Sequence, residues 1–274
     1  MTRYPPSPMR RFALLVSFCF VACLDQTPPE TAPEEVDANL KWFWVNGDDA
    51  DDALLIDGAS KLAVAGKADT RTAPLKGQMR NRLEVSDLVK FGLENNEPAN
   101  ARGVILVNLF DCSLDKLETI LSAKDQKAQY AGVYESYDRT FTVSDPEAFN
   151  SKRVDRINWD IAMRVALPLG DVYDSNVKGG LRRVKGGANG DFIIARTYLT
   201  APATFMNPNT TSYFKQDYQI EVFWEQSPGR IFHAYGMWRE IKTYDLTIED
   251  NGFLNIVLDN LKKWDDGTQD LCKK

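Results

Sequence analysis

The sequence predicts an α+β fold: an antiparallel sheet closed by one long C-terminal helix, with a helical N-terminal extension. Three observations carry this. An apolar strand signal at 103–110 leads into an amphipathic helix. Alternating segments then follow one another from residue 133 to residue 241, with turn residues between them. Finally, Leu254, Val257, Leu258, Leu261, Trp264, Thr268 and Leu271 recur at three- and four-residue spacing, which marks one helix with a single stripe.

In chain order, residues 38–98 read as a helical, polar extension packed on the main body. Leu54, Leu55, Ala59, Leu62 and Ala63 form one modest stripe there, and Leu88, Val89, Phe91 and Leu93 form another. The segment 66–80 between them is rich in turn formers and basic residues. Trp42, Phe43 and Trp44 read as packing residues. After the strand at 103–110, Ser113 is placed to cap a helix with Leu114, Leu117, Ile120 and Leu121 inward, and a short second helix covers 124–129.

A strand at 133–143 puts Val133, Tyr137, Phe141 and Val143 on one face. In the next strand Trp159, Ile161, Met163, Val165 and Leu167 alternate with Asp160, Ala162, Arg164 and Ala166. Further strands fall at 176–184, 191–199, 217–225 and 231–241. Gly186-Gly187 and Ser227-Pro228-Gly229-Arg230 are turn signals between neighbours. Asp250 or Asn251 caps the last helix, and Gly267 is a weak point that can end its regular part.

The first residues have the three parts of a secretory signal: Arg10 and Arg11, an apolar run at 12–21, and the small Ala22. That run is shorter than the roughly 20 residues a spanning helix needs. Phe20-Val21-Ala22-Cys23 resembles the lipobox of bacterial lipoproteins, in which the cysteine is acylated and becomes the first residue. Phe20 stands where leucine is usual. Cys19, behind bulky Phe18, is the weaker candidate, and an ordinary signal peptide that contains a cysteine is the alternative. The resemblance implies a signal peptide at 1–22 and a lipidated Cys23. It also implies anchorage in the cell envelope, with Leu24 favouring the outer membrane, facing the periplasm or the surface, in a Gram-negative cell. Residues 23–37 carry Pro28, Pro29 and Pro33 among acids and read as an extended, solvated tether.

Of the four cysteines, Cys19 leaves with the signal and Cys23 is acylated. Cys112 and Cys272 remain as an even pair in an oxidising compartment, which predicts a disulfide; two unrelated buried thiols are the alternative. The formal charge of −6 becomes more negative once Arg3, Arg10 and Arg11 are removed. Such a surface argues against nucleic acid and against a second, polybasic membrane contact.

The order of elements over 102–274 resembles the START-like (SRPBCC, helix-grip) superfamily. Lys178-Gly179-Gly180-Leu181-Arg182 in a middle strand and the hairpin at Ser227-Pro228-Gly229-Arg230 support the likeness. The resemblance implies an antiparallel sheet wrapped around the final helix, with a cavity between them that binds apolar ligands. It also implies that the first helices cradle the end of the last one, which would bring Cys112 and Cys272 together.

Strand parity then nominates the cavity lining. With a hairpin loop of two or four residues, Trp224 opposes His233, Val222 opposes Tyr235 and Ile220 opposes Met237, on a face shared with Tyr218 and Ile231. A loop of three or five residues changes that pairing. Tyr137, Arg139, Arg196, Leu254 and Leu258 complete the ligand-binding candidates. Glu135, Arg139, Arg196 and Arg239 are inward charges by parity, suited to a ligand head group or to pairing with each other; exposure at strand ends is the alternative. His233, the only histidine, suits a general base or a hydrogen bond to a neighbour within the strand. No G-x-S-x-G surrounds any serine, and zinc would find almost no ligands. Asp48, Asp49, Asp51 and Asp52 lack the glycine and distal glutamate of a calcium loop and read as a solvated helix start. No catalytic residue, metal or cofactor is therefore expected. The function implied is a membrane-anchored carrier or sensor of a lipid or other apolar molecule. The alternatives are a structural or adaptor lipoprotein that binds an envelope protein partner, and an enzyme of the cyclase or hydrolase kind built on His233 or an inward acid.

Overall fold

A computed structural model of the protein describes residues 31–167, 170–186, 190–248 and 250–274. Cys23, the expected signal peptide and the tether up to residue 30 lie outside these residues.

The described chain opens with two helices, α1 (Val36–Asn46) and α2 (Asp52–Ala65). Asp51 caps α2, its side chain accepting from the Leu54 N–H at 2.9 Å. Ala32 is buried, so the stretch expected to be a solvated tether joins the fold before its end. A short strand, β1 (Leu75–Gln78), follows where only turns were expected. The second expected helical stripe is instead a pair of single 3-10 turns, Val85–Asp87 and Val89–Phe91. Gly92 ends them with a left-handed φ of 70°, and only one further 3-10 turn, Pro98–Asn100, precedes the next strand.

The main body then runs β2 (Arg102–Asp111), α3 (Leu114–Ser122), α4 (Gln126–Gln129), β3 (Tyr134–Val143), α5 (Pro146–Asn150) and β4 (Arg156–Ala166). It continues with β5 (Val172–Val184), β6 (Phe192–Leu199), β7 (Thr204–Phe205), β8 (Tyr213–Ser227), β9 (Arg230–Thr243), β10 (Leu246–Thr247) and α6 (Asn251–Cys272). Ser113 caps α3 as its position predicts, accepting from Lys116 N–H at 3.3 Å. All pairings are antiparallel, in the order β1-β2-β9-β8-β6-β5-β4-β3, with β10 beside β9 and β7 beside β5. The fold is thus α+β, with the long C-terminal helix packed on the sheet.

The sheet is covered on both faces. Against one face lie α6 and α3, with Leu106, Phe223, Tyr235, Met237, Leu254 and Leu258 in the core between them. Against the other lie α1 and α2, whose Leu40, Phe43, Trp44 and Leu55 pack with Ile220, Val222 and Trp238. Gly236 makes the close approach possible: a Cβ there would meet Leu40 and Ile220, each at 3.2 Å. Strands buried on both sides read as nearly continuous apolar runs, which weakens the alternation that parity depends on.

That ambiguity had a consequence at the β8–β9 hairpin. Ser227 does pair with Arg230 across the two residues Pro228 and Gly229, but Glu225 pairs with Ile231, leaving Gln226 as a bulge. One extra residue flips every side chain beyond it. Phe223, not Trp224, opposes His233, and Glu221, not Val222, opposes Tyr235. Gln219 opposes Met237, and Ile220 opposes Gly236. A second irregularity, between Tyr134 and Ser136, turns Glu135 outward, while Val133 and Val143 at the ends of the β3 segment are also exposed.

α6 does not stop at Gly267 but continues through Cys272. Tertiary anchors outweigh the roughly 1 kcal/mol that glycine costs inside a helix. Thr268 is hydrogen-bonded to the Tyr130 hydroxyl at 2.8 Å, and Cys272 is joined to Cys112 in the expected disulfide, with Cα atoms 5.3 Å apart. Among the described residues no helix is long and apolar enough to cross a membrane.

Candidate functional site

Between the sheet and α6 lies a cavity of about 340 Å³. Its wall is mainly apolar and aromatic. β4 contributes Trp159, Ile161 and Met163, and α6 contributes Phe253, Val257 and Leu261. The alternation of β4 and the stripe of α6 turn these side chains toward one another. Gly179 of the middle strand is needed for this: a Cβ there would lie 2.6 Å from Trp159 Nε1, so only glycine lets the indole come so close. Polar groups enter the wall at a few points, among them Arg139, Thr197, Gln219, Glu221, His233, Arg239 and Asn260.

His233 is fully enclosed and stacks on Phe223, with ring centroids 4.1 Å apart. Its Nδ1 meets Asp265 Oδ1 at 2.8 Å and its Nε2 meets Glu221 Oε2 at 3.0 Å. Asp265 is itself buried on α6, and its second oxygen accepts from Asn108 Nδ2 of β2 at 2.9 Å. Burial alone would push the imidazole pKa down; the two carboxylates outweigh it and raise the pKa to about 9. The ring is therefore an imidazolium at neutral pH, donating from both nitrogens. Its bond to Glu221 stays within the β8–β9 strand pair, and its bond to Asp265 crosses to α6.

Arg239 forms a two-pronged ion pair with Asp217, Nε to Oδ1 at 2.9 Å and Nη2 to Oδ2 at 2.8 Å. Burial opposes its charge, but Asp217 more than compensates and holds the guanidinium firmly protonated. Burial raises the hydroxyl pKa of Tyr137 and Tyr134 on β3, so both stay neutral donors. Among the described residues no group of three or more His, Cys, Asp or Glu side chains is arranged to hold a metal ion.

No protein-family model matches the chain, and no curated protein does. Solved structures do match. The human StAR-related lipid transfer protein 5 is 7% identical, with a TM-score of 0.44 over 81% of this chain and 96% of that one. The human StarD13 lipid transfer and protein localization domain is 8% identical, with a TM-score of 0.41 over 80% and 96%. A START superfamily protein from Mycobacterium smegmatis is 11% identical, with a TM-score of 0.38 over 62% and 97%.

The structure divides the sequence-predicted residues between the two faces. Tyr137, Arg139, His233 and Tyr235 line the cavity together. Met237, Leu254 and Leu258 are on the same side but buried in the core beside it. Tyr218, Val222 and Trp224 are on the opposite face, packed with the N-terminal helices, because the bulge at Gln226 reverses their parity. Arg196 is also on that outer face: it pairs with Asp48, donates to the Trp44 carbonyl at 2.7 Å and lies over the Trp44 ring.

The acidic run is accordingly not a simple solvated helix start. Asp48 binds Arg196 and Asp52 binds Arg182, pinning the α1–α2 loop to the sheet, and Asp49 binds Lys90 of the 3-10 turn Val89–Phe91. Sequence reasoning missed Glu221, Trp264 and above all Asp265. A signal for Asp265 existed: it continues the three-and-four spacing between Leu261 and Thr268, so an acid there is turned into the core.

Proposed function

We propose that the protein is a lipid-anchored envelope protein that holds a lipid or other apolar small molecule in the cavity between sheet and α6, as a carrier or sensor. The observation that carries the binding role is the cavity itself. Its volume of about 340 Å³ falls within the about 300–1,000 Å³ of small-molecule sites, and its wall is mostly apolar with a few convergent polar groups. In this reading the role is non-enzymatic, and the engagement of both nitrogens of the only histidine by carboxylates, which disfavours it as a general base, supports that. Anchorage through Cys23 rests on the signal-like start and the lipobox-like Phe20-Val21-Ala22-Cys23.

Native mass spectrometry of the chain from residue 24 onward, purified from its host without detergent, tests the binding role. A bound species removable by organic extraction is expected, and a protein that is empty and takes up no added amphiphile would overturn it. Anchorage is tested separately by incorporation of labelled palmitate, which Cys23→Ala is expected to abolish. Label that persists in that variant would refute acylation at Cys23.

A further inference from the structure

Two arginines stand in the cavity wall, Arg139, which is buried, and Arg239, which is mostly enclosed. They differ in their partners. Arg239 is neutralised by Asp217 through two parallel bonds. Among the described residues Arg139 has no carboxylate partner. Its Nε donates to the Tyr137 hydroxyl at 2.9 Å, and Nη1 donates to the carbonyls of Leu121 and Ala123 at 2.7 and 3.0 Å. Its guanidinium lies over the Trp159 ring, 4.0 Å from the centroid. The remaining amino group, Nη2, donates to no described residue.

The one acid in the cavity wall, Glu221, turns its Oε2 to His233, which Asp265 of α6 holds from the other side of the ring. The end of α3 offers Arg139 only the partial negative charge of its last carbonyls. A buried guanidinium with only neutral acceptors in direct contact is costly, and an anionic oxygen at Nη2 would complete it with charge-assisted hydrogen bonds.

We propose that the cavity takes a single-chain amphiphile with an anionic head group, its carboxylate or phosphate oxygen on Arg139 Nη2. The chain lies against the apolar wall that includes Ile161, Met163, Phe253 and Val257. This deepens the functional reading above and rests on it. A cavity of about 340 Å³ is near the lower end of the about 300–1,000 Å³ range, which favours one chain over two.

Calorimetric titration of the chain from residue 24 onward at pH 8 with dodecanoic acid, dodecyl phosphate and dodecanol tests it. At least one of the two anions is expected to bind about tenfold or more tightly than the alcohol, the effect of one hydrogen bond to a charged group. Whichever anion gains more names the head group. Arg139→Met is expected to bring acid, phosphate and alcohol to within about twofold of one another, while Arg139→Lys keeps part of the preference. Dodecanol binding as tightly as both anions, or a preference that survives in Arg139→Met, overturns the proposal and leaves the apolar site standing. Binding of none of the three refutes the ligand site itself. The wild-type comparison is decisive on its own, so the test does not depend on Arg139→Met folding.

Discussion

Asp265, inside the apolar stripe of α6, holds Nδ1 of His233 on β9 at 2.8 Å. Helix and sheet are thus joined by charge as well as by apolar contact, at the one level where the stripe is broken by an acid. Glu221 of β8 completes the row from the other side of the ring. A buried ionic row of this kind is strongly destabilising to break from one side, because it leaves an uncompensated charge behind.

Because His233 is the only histidine, its ring signals in a nuclear magnetic resonance titration are unambiguous. The midpoint is expected at about 9 in the wild type. It falls in Asp265→Asn and falls less in Glu221→Gln, since Asp265 contributes the larger share of the upward shift. A wild-type midpoint near 6.5, that of an ordinary histidine, would show that the carboxylates do not outweigh burial.

The same shift makes stability depend on pH. The folded pKa is raised, so the stabilisation is fully present below the unfolded value of about 6.5 and is lost as pH rises through about 9. The whole effect is on the order of 3 kcal/mol. Urea midpoints of the wild type and of His233→Gln, compared from pH 6 to pH 10, are expected to converge with rising pH. Parallel curves would refute the linkage.

Much of the fold was legible because its signals are local. The cap at Ser113, the alternation of β4 and the stripe of α6 each lie within one element, and each fell where the sequence put it. The site was less legible, for two physical reasons. β8 and β9 are buried on both faces, so the more apolar face of the hairpin is the one covered by Trp44 and Leu40, not the one that lines the cavity. The bulge at Gln226 then decides parity, and nothing in Gln226 itself announces it. Tyr137 and Arg139, on a strand with one covered face, lie in the cavity wall, whereas Tyr218, Val222 and Trp224 lie on the other side of the sheet.

The double coverage predicts that the N-terminal helices are not dispensable. Tyr218, Ile220, Val222, Phe232 and Trp238 are sealed beneath α1 and α2 and their flanking turns. A chain that begins at residue 102 would expose them together, a patch well beyond the few hundred Å² that soluble monomers tolerate. Such a chain is expected to aggregate, whereas one that begins at residue 31 stays monomeric in sedimentation analysis. A soluble, cooperatively folding chain from residue 102 would show that the outer layer is accessory.

The disulfide ties the two ends of the inner layer. Cys112 sits between β2 and α3, and Cys272 is in the last turn of α6, 160 residues away in sequence. Closing so long a loop constrains the unfolded chain by up to about 5 kcal/mol in the chain-entropy model, less whatever structure that chain retains. The double variant Cys112→Ser, Cys272→Ser is expected to fold, with stability lower by about 2–5 kcal/mol in urea titration. Asp265 lies about two helical turns before Cys272, so its bond to His233 should survive the loss. Hydrogen exchange is therefore expected to quicken at the amides after Thr268 while those from Val257 to Asp265 keep their protection. Loss of protection along the whole of α6 would mean that the disulfide, and not the buried ionic row, holds the helix on the sheet.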